Sequence, residues 1–201
     1  MRTAVFGGTF DPPHSGHIAL ARAVINGGYA DKILFIPAFR PPHKADKHAT
    51  PFADRAAMLT LALHDFPAAE ISLLEAQHPE RLSYTFETMC ELTAAHPEQR
   101  YRLLIGADSL VQLHRWHRAR ELAERWPILT YPRPGFPVTL AELAPHWPEL
   151  LARKLVQSIM ELPVSAWSST AIRTELRQGR CPADALVPGV IKYIQEKRLY
   201  R

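Results

Sequence analysis

The sequence predicts an α/β protein with a doubly wound, mostly parallel sheet between two layers of helices. Residues 3–6 and 32–37 are short apolar runs bounded by breakers, which is typical of strands buried on both faces of a parallel sheet. Between these runs apolar residues recur at helical spacing, and Gly27 and Gly28 end the pattern. Strands that alternate with helices in this way favour a three-layer α/β/α arrangement.

The rest of the chain continues this alternation. Further strand candidates lie at residues 70–74, 102–105, 128–131 and 158–162. Helical patterns lie at residues 52–64, 85–95, 118–125 and 169–178. We therefore expect a single domain over residues 1–201, with a helical C-terminal portion from about residue 168.

The prolines cluster in two long loops, at residues 37–51 and 127–148. The segment 38–50 is too long for a routine connection and carries several cations, so we expect it to order or shift when a phosphorylated ligand binds. We interpret residues 132–150 as a variable excursion. Neither stretch has the features of a domain boundary.

Composition narrows the class of protein. No apolar stretch approaches the roughly 20 residues that span a membrane, and the first residues lack a signal-peptide pattern. The two cysteines have no metal-ligand spacing. We expect a cytoplasmic protein with no membrane partner. The net charge of +4 fits either a solubilising surface or a preference for polyanions, but no basic run indicates nucleic-acid binding.

The most informative segment is residues 7–17, which read Gly-Gly-Thr-Phe-Asp-Pro-Pro-His-Ser-Gly-His directly after the first apolar run. The free backbone N–H groups at a helix N-terminus attract phosphate, and Gly7 and Gly8 lack the Cβ atoms that would keep a phosphate from the backbone. His14 and His17 are three residues apart, so they lie on one helix face and can present two imidazole donors to one phosphate.

This segment does not match two well-known nucleotide-binding patterns. The Rossmann G-x-G-x-x-G spacing and the Walker A Gly-Lys-Ser/Thr are both absent. The pattern His-x-Gly-His after Gly-Gly-Thr-Phe-Asp-Pro instead resembles the nucleotidylyltransferase superfamily. Four further segments resemble the bacterial nicotinate-nucleotide adenylyltransferases: Pro-Pro-His-Lys at 41–44, Ser-Tyr-Thr at 83–85, Gly-Ala-Asp at 106–108 and Ser-Ser-Thr-Ala-Ile-Arg at 168–173. Trp167 stands where this last signature usually has Ile.

The resemblance implies transfer of AMP from ATP to nicotinate mononucleotide, giving nicotinate adenine dinucleotide and pyrophosphate. It implies that His14 and His17 stabilise the phosphates electrostatically and that Arg173 grips the β- and γ-phosphates. Mg²⁺ is expected to bridge the triphosphate oxygens with few or no protein ligands, so we expect no side-chain metal site.

Two further sets of residues follow from the resemblance. The expected ATP-binding residues are Gly7, Gly8, Thr9, Phe10, Gly106, Asp108, Ser168 and Thr170. The expected acceptor-binding residues are Lys44, Thr85, Trp116 and Arg133.

Several of these roles have a structural alternative. Ser168 could simply cap a surface helix, and Trp116 could be a core residue rather than a stacking partner for the pyridine ring. Lys44 could be a solvated loop lysine. Asp108 either contacts the adenosine ribose or holds the turn at Gly106.

Two other functions remain open at this point. The acceptor could be nicotinamide mononucleotide or another phosphorylated compound. More remotely, the chain could be a nucleotide-binding protein without catalysis. The sequence does not specify an oligomeric state.

Overall fold

The computed structural model describes residues 1–42, 49–162 and 167–201, and its centre is a parallel sheet. The strands are β1 (Arg2–Gly8), β2 (Lys32–Pro37), β3 (Ala69–Ile71), β4 (Arg100–Gly106) and β5 (Ile128–Tyr131). They lie in the order β3-β2-β1-β4-β5, and every neighbouring pair is parallel. The predicted fold class is confirmed.

Helices connect and cover the strands. In chain order they are α1 (Ser15–Asn26), α2 (Phe52–Leu63), α3 (Thr85–Ala95), α4 (Ala107–Gln112), α5 (Ala119–Arg125), α6 (Leu140–Leu143), α7 (Glu149–Gln157), α8 (Ser169–Arg177) and α9 (Pro188–Lys197). Short 3-10 helices lie at Leu74–Gln77 and Leu113–Arg115. Within the three described ranges, none of these helices combines the length and apolar character needed to cross a membrane.

The two faces of the sheet have separate apolar cores, because successive strand residues point to opposite faces. On β1, Val5 packs in the cluster with residues of α3, α4, α5 and α7, whereas Ala4 and Phe6 pack with residues of α1 and α2. A third cluster joins α2 to the C-terminal helices. Its fully buried members include Met58 and Ile172. This third cluster holds α8 and α9 beside the sheet.

Most predicted elements have an observed counterpart, and three predictions were wrong in detail. Residues 158–162 form only a single parallel bridge, between Ile159 and Thr130, rather than a sixth strand. The strand predicted at 70–74 ends at Ile71, and the chain then turns into the 3-10 helix. The excursion predicted at 132–150 contains α6 and the start of α7. Helix α7 packs on the protein through one apolar face, which buries Leu151 and Leu155.

Candidate active site

The site lies where the strand order reverses. β1 and β4 are neighbours, yet the chain leaves them toward opposite edges of the sheet. Loops after such strands diverge and leave a crevice at the carboxyl edge, which is where ligands bind in open α/β sheets. The segment after β1 leads into α1, and Gly106 ends β4 directly before α4.

The two histidines of the segment are held together at the start of α1. His14 is the N-cap in extended conformation, with φ −142°, and its backbone N–H donates to Nδ1 of His17 at 3.1 Å. The two imidazole rings are 3.7 Å apart between centroids. Because Nδ1 of His17 accepts a hydrogen bond, a neutral His17 carries its proton on Nε2. The free ring edge of His17 is therefore a hydrogen-bond donor.

Both imidazoles are neutral at pH 7. Burial, and then the charge of Arg133, lower the pKa of His14 to about 4. Burial, His14 and Arg133 also lower the pKa of His17 well below its usual value. Moreover, Nδ1 of His14 is buried and has no hydrogen-bond partner among the described residues. Such an atom is rarely left unpaired, so this site is prepared for a polar ligand.

The start of α8 is bound to the segment between β1 and α1. Arg173 donates to the backbone carbonyl of Asp11 at 2.7 Å and to Oγ1 of Thr170 at 3.3 Å. The Ser169 hydroxyl donates to the carbonyl of Pro12 at 2.9 Å. Ser168 is the N-cap of α8, since its Oγ accepts from the N–H of Ala171 at 3.2 Å. The structural alternative for Ser168 is thus observed, and its phosphate role stays a prediction.

Two cavities flank the loop after β1. The histidine cavity, about 430 Å³, is lined by His14, His17, Arg133 and Ser168 among others. The tryptophan cavity, about 210 Å³, is more apolar, and its lining includes Gly7, Thr9, Thr85 and Trp116. Three residues that the family motifs predict for ATP binding, Gly7, Gly8 and Thr9, thus line the tryptophan cavity together with Thr85 and Trp116. Five other predicted residues line neither cavity: Phe10, Gly106, Asp108, Thr170 and Arg173.

These features match known proteins. The family model described as cytidylyltransferase-like matches residues 5–175. A protein of Geobacillus thermodenitrificans (strain NG80-2) named "Probable nicotinate-nucleotide adenylyltransferase" is 36% identical over 199 residues, covering 99% of this chain and 86% of that protein. The nicotinate-nucleotide adenylyltransferase of Bacillus subtilis (strain 168) is 34% identical over 200 residues, covering 99% and 98%. The chain belongs to the nicotinate-nucleotide adenylyltransferase family.

A solved structure supports the fold alone. The structure of Plasmodium falciparum nicotinic acid mononucleotide adenylyltransferase complexed with NaAD matches with a TM-score of 0.77 and 19% sequence identity. The match covers 99% of this chain and 97% of that chain. The family resemblance inferred from the sequence motifs is confirmed by the full-length relatives.

Two residues predicted from the family motifs have a setting that those motifs did not indicate. Arg133 lies in the histidine cavity rather than beside Thr85 and Trp116, and its Nε is 3.3 Å from Oδ1 of Asp108. Phe10 is 2% exposed, and its ring packs in the core against Phe6 and His17, so only its backbone can meet a nucleotide.

Two further acceptor predictions concern Trp116 and Lys44. Trp116 both packs against the core and lines its cavity, so the two interpretations of this residue coexist. Lys44 and the rest of residues 43–48 lie outside the described residues.

Sequence reasoning missed a buried arginine in this family member. Arg55 of α2 is 3% exposed and donates to the carbonyls of Thr9, Ala38 and Thr50 at 2.7, 2.8 and 2.9 Å. It joins the loop after β1 to the chain that leaves β2. A signal existed, because position 55 falls on the same helix face as the apolar Met58, where a charged residue needs buried partners.

The two glycines after the first apolar run are predicted to differ when substituted. A Cβ at position 8 would lie 2.9 Å from Cζ of Phe10, whose buried ring packs against Phe6 and His17, so Gly8→Ala should lower the free energy of unfolding by about 1–3 kcal/mol. A Cβ at position 7 meets nothing within 4 Å, so Gly7→Ala should cost less than about 0.5 kcal/mol. Urea denaturation measures both, and equal losses would contradict the assigned packing.

The buried histidines also predict how stability depends on pH. The unfolded chain takes up a proton near the usual His pKa of about 6.5, whereas folded His14 does so only near 4. The unfolded state therefore binds more protons between these values, and stability falls as the pH decreases through this window. We expect His14→Asn to reduce the change in stability across this window by up to about 3 kcal/mol, which is the difference between the two pKa values converted to free energy.

The matched control is His64→Asn. The His64 side chain is 84% exposed, so its substitution should leave the slope of the curve unchanged. Urea denaturation at pH 4 to 7 measures both variants. Parallel curves for wild type and His14→Asn would show that the His14 imidazole is not held neutral by burial.

Proposed function

We propose that the protein transfers AMP from ATP to nicotinate mononucleotide, releasing pyrophosphate and forming nicotinate adenine dinucleotide. The observation that carries the proposal is the pair of cavities on either side of one loop. The histidine cavity offers neutral donors and Arg133 for a polyphosphate, and the tryptophan cavity offers Trp116 and a helix N-terminus for an aromatic acid.

The reaction needs positioning more than covalent chemistry. A phosphate oxygen of the acceptor forms a bond to the α-phosphorus of ATP while the bond from that phosphorus to the β-bridging oxygen breaks. Pyrophosphate leaves with the electron pair. Two anions must be brought together in line, so the protein contributes by orientation and by neutralising charge on the phosphorus oxygens.

We assign the histidine cavity to ATP. In this assignment Nε2–H of His17 donates to an α-phosphate oxygen, and His14 lines the same cavity. A neutral imidazole suits this role, because its single N–H donates a hydrogen bond to a phosphate oxygen and the proton stays on the ring. Arg173 is held by the Asp11 carbonyl at 2.7 Å, and we assign its remaining N–H groups to the β- and γ-phosphates. Arg133, which lines the histidine cavity, adds a second cation to the ATP site.

We assign the tryptophan cavity to the acceptor. Thr85 is the first residue of α3, and Ser83, Tyr84 and Thr85 all line this cavity. The free N–H groups of a first helical turn attract an anion, which the carboxylate of nicotinate supplies and the amide of nicotinamide does not. The Trp116 side chain lies in the same wall and can stack on the pyridine ring.

The donor set does not favour a protein-bound metal. Among residues 1–42, 49–162 and 167–201, no group of three or more His, Cys, Asp or Glu side chains is arranged to hold an ion. We propose that Mg²⁺ enters as the complex with ATP, where phosphate oxygens and water are its ligands.

Selectivity between acid and amide acceptors tests the assigned activity. We expect pyrophosphate release with ATP and nicotinate mononucleotide, and at least about tenfold lower kcat/KM with nicotinamide mononucleotide because one charge-assisted hydrogen bond is lost. A coupled pyrophosphate assay with both acceptors measures this. Equal values would refute selection of a carboxylate, and no turnover with either would refute the activity.

The role of His17 is tested by two amide substitutions. Asn can still accept from the backbone N–H of His14 but has no donor at the position of Nε2, so His17→Asn should lower kcat by about 10²–10³ with little change in ATP affinity. Gln can place an N–H near that position, so His17→Gln should retain more activity.

The control is His96→Asn, at an exposed site away from both cavities. Its kcat should equal that of the wild type. Steady-state kinetics and ATP titration of all three variants decide the point, and a fully active His17→Asn would remove the proposed donor.

A further inference from the structure

The C-terminal portion of the chain reaches into the loop that carries the histidines. Tyr200 donates its hydroxyl hydrogen to Oδ1 of Asp11 at 2.6 Å, across 189 positions of sequence. The other carboxylate oxygen of Asp11 accepts from the N–H of Thr50 at 3.3 Å. Asp11 is 5% exposed, so each of its oxygens depends on a partner within the protein. Burial and the charge of Asp11 raise the pKa of Tyr200, which keeps this hydroxyl a donor.

The carboxylate of Asp11 fixes a backbone that other site residues use. The carbonyl of Asp11 holds Arg173, and the carbonyl of the next residue, Pro12, holds Ser169. His14 follows two residues later. A displacement of Asp11 would therefore move the arginine assigned to the outer phosphates and the cap of α1 together.

The path of the chain to Tyr200 is conformationally costly. α9 ends at Lys197, and Arg198 and Tyr200 then adopt the left-handed region, with φ 53° and φ 61°. Residues other than glycine and asparagine rarely adopt this backbone conformation, because the Cβ atom then crowds the neighbouring carbonyl oxygen. Two such residues in three positions turn the chain back toward Asp11. Strain of this kind persists only where the surrounding contacts favour it.

We propose that Tyr200 is a positioning residue for AMP transfer, which acts through Asp11 to set the location of Arg173 and the two histidines. The inference rests on the proposed function for its kinetic consequence. The Tyr200 hydroxyl is engaged with Asp11, and Tyr200 lines neither cavity, so we assign it a positioning role rather than a contact with substrate. Small errors in phosphate placement reduce the rate steeply, so the loss should fall on kcat.

The chain contains a matched control for this hydrogen bond. Tyr193 of α9 donates to Oδ1 of Asp54 at 2.8 Å, so it makes a Tyr–Asp bond in the same part of the fold. This bond joins α9 to α2 and contacts neither cavity. Tyr193→Phe and Tyr200→Phe each delete one hydroxyl and keep the ring. A merely structural role predicts the same kinetic behaviour for both variants.

The kinetic test compares kcat and both KM values of the two variants. We expect Tyr200→Phe to lower kcat about five- to fiftyfold, with both KM values within about threefold of wild type, and Tyr193→Phe to keep wild-type kinetics. Asp11→Ala removes both acceptor oxygens, so a double-mutant cycle with it should be non-additive, and adding Tyr200→Phe to Asp11→Ala should lower kcat no further. Equal kcat values for Tyr193→Phe and Tyr200→Phe, or an additive cycle, would overturn the proposal.

A second readout needs no turnover and separates this inference from the proposed function. The Cε1–H proton signals of His14 and His17 should shift in Tyr200→Phe and stay in place in Tyr193→Phe. If these signals shift while the wild type forms no dinucleotide, the proposed function fails and the positioning role stands. If they do not shift in Tyr200→Phe, the positioning role fails even in an active enzyme. Should Tyr200→Phe not fold, Asp11→Ala is tested in its place against Tyr193→Phe. The same two results are expected, and the same results would overturn the proposal.

Discussion

The hydrogen bond from the backbone N–H of His14 to Nδ1 of His17 is the contact on which the site depends. It caps α1 and at the same time determines which nitrogen of His17 carries the proton. Burial lowers the pKa of both histidines and keeps their rings neutral, so the site offers oriented hydrogen-bond donors that carry no charge. The cations are supplied separately, by Arg133 from the segment after β5 and by Arg173 from α8.

Buried polar contacts then join these separate elements into one site. Arg55 holds the carbonyls of the loop after β1 and of the chain after β2, and Asp11 receives Tyr200 from beyond α9. Burial lowers the pKa of Arg55, and the nearby charge of Asp11 acts in the opposite direction. Removing one partner from such a network leaves another buried group unsatisfied, which is why its members are coupled.

The fold class and the nucleotide segment could be predicted from the sequence because both depend on local patterns. Alternating apolar runs specified the sheet, and the spacing of His14 and His17 specified a common helix face. Long-range contacts could not be predicted in this way. The Asp11–Tyr200 bond spans 189 positions, and the placement of Arg133 depends on how β5 pairs with β4. The short bridge at Ile159 replaced a predicted strand because an apolar run alone does not specify how many residues pair.

A crystal structure with an ATP analogue that carries a methylene group between the α- and β-phosphorus atoms tests the central claim most directly. Our account predicts the triphosphate in the histidine cavity, with Nε2 of His17 within about 3.2 Å of an α-phosphate oxygen and the Arg173 guanidinium on the outer phosphates. A triphosphate bound elsewhere, or a His17 ring whose Nε2 faces no phosphate, would contradict it.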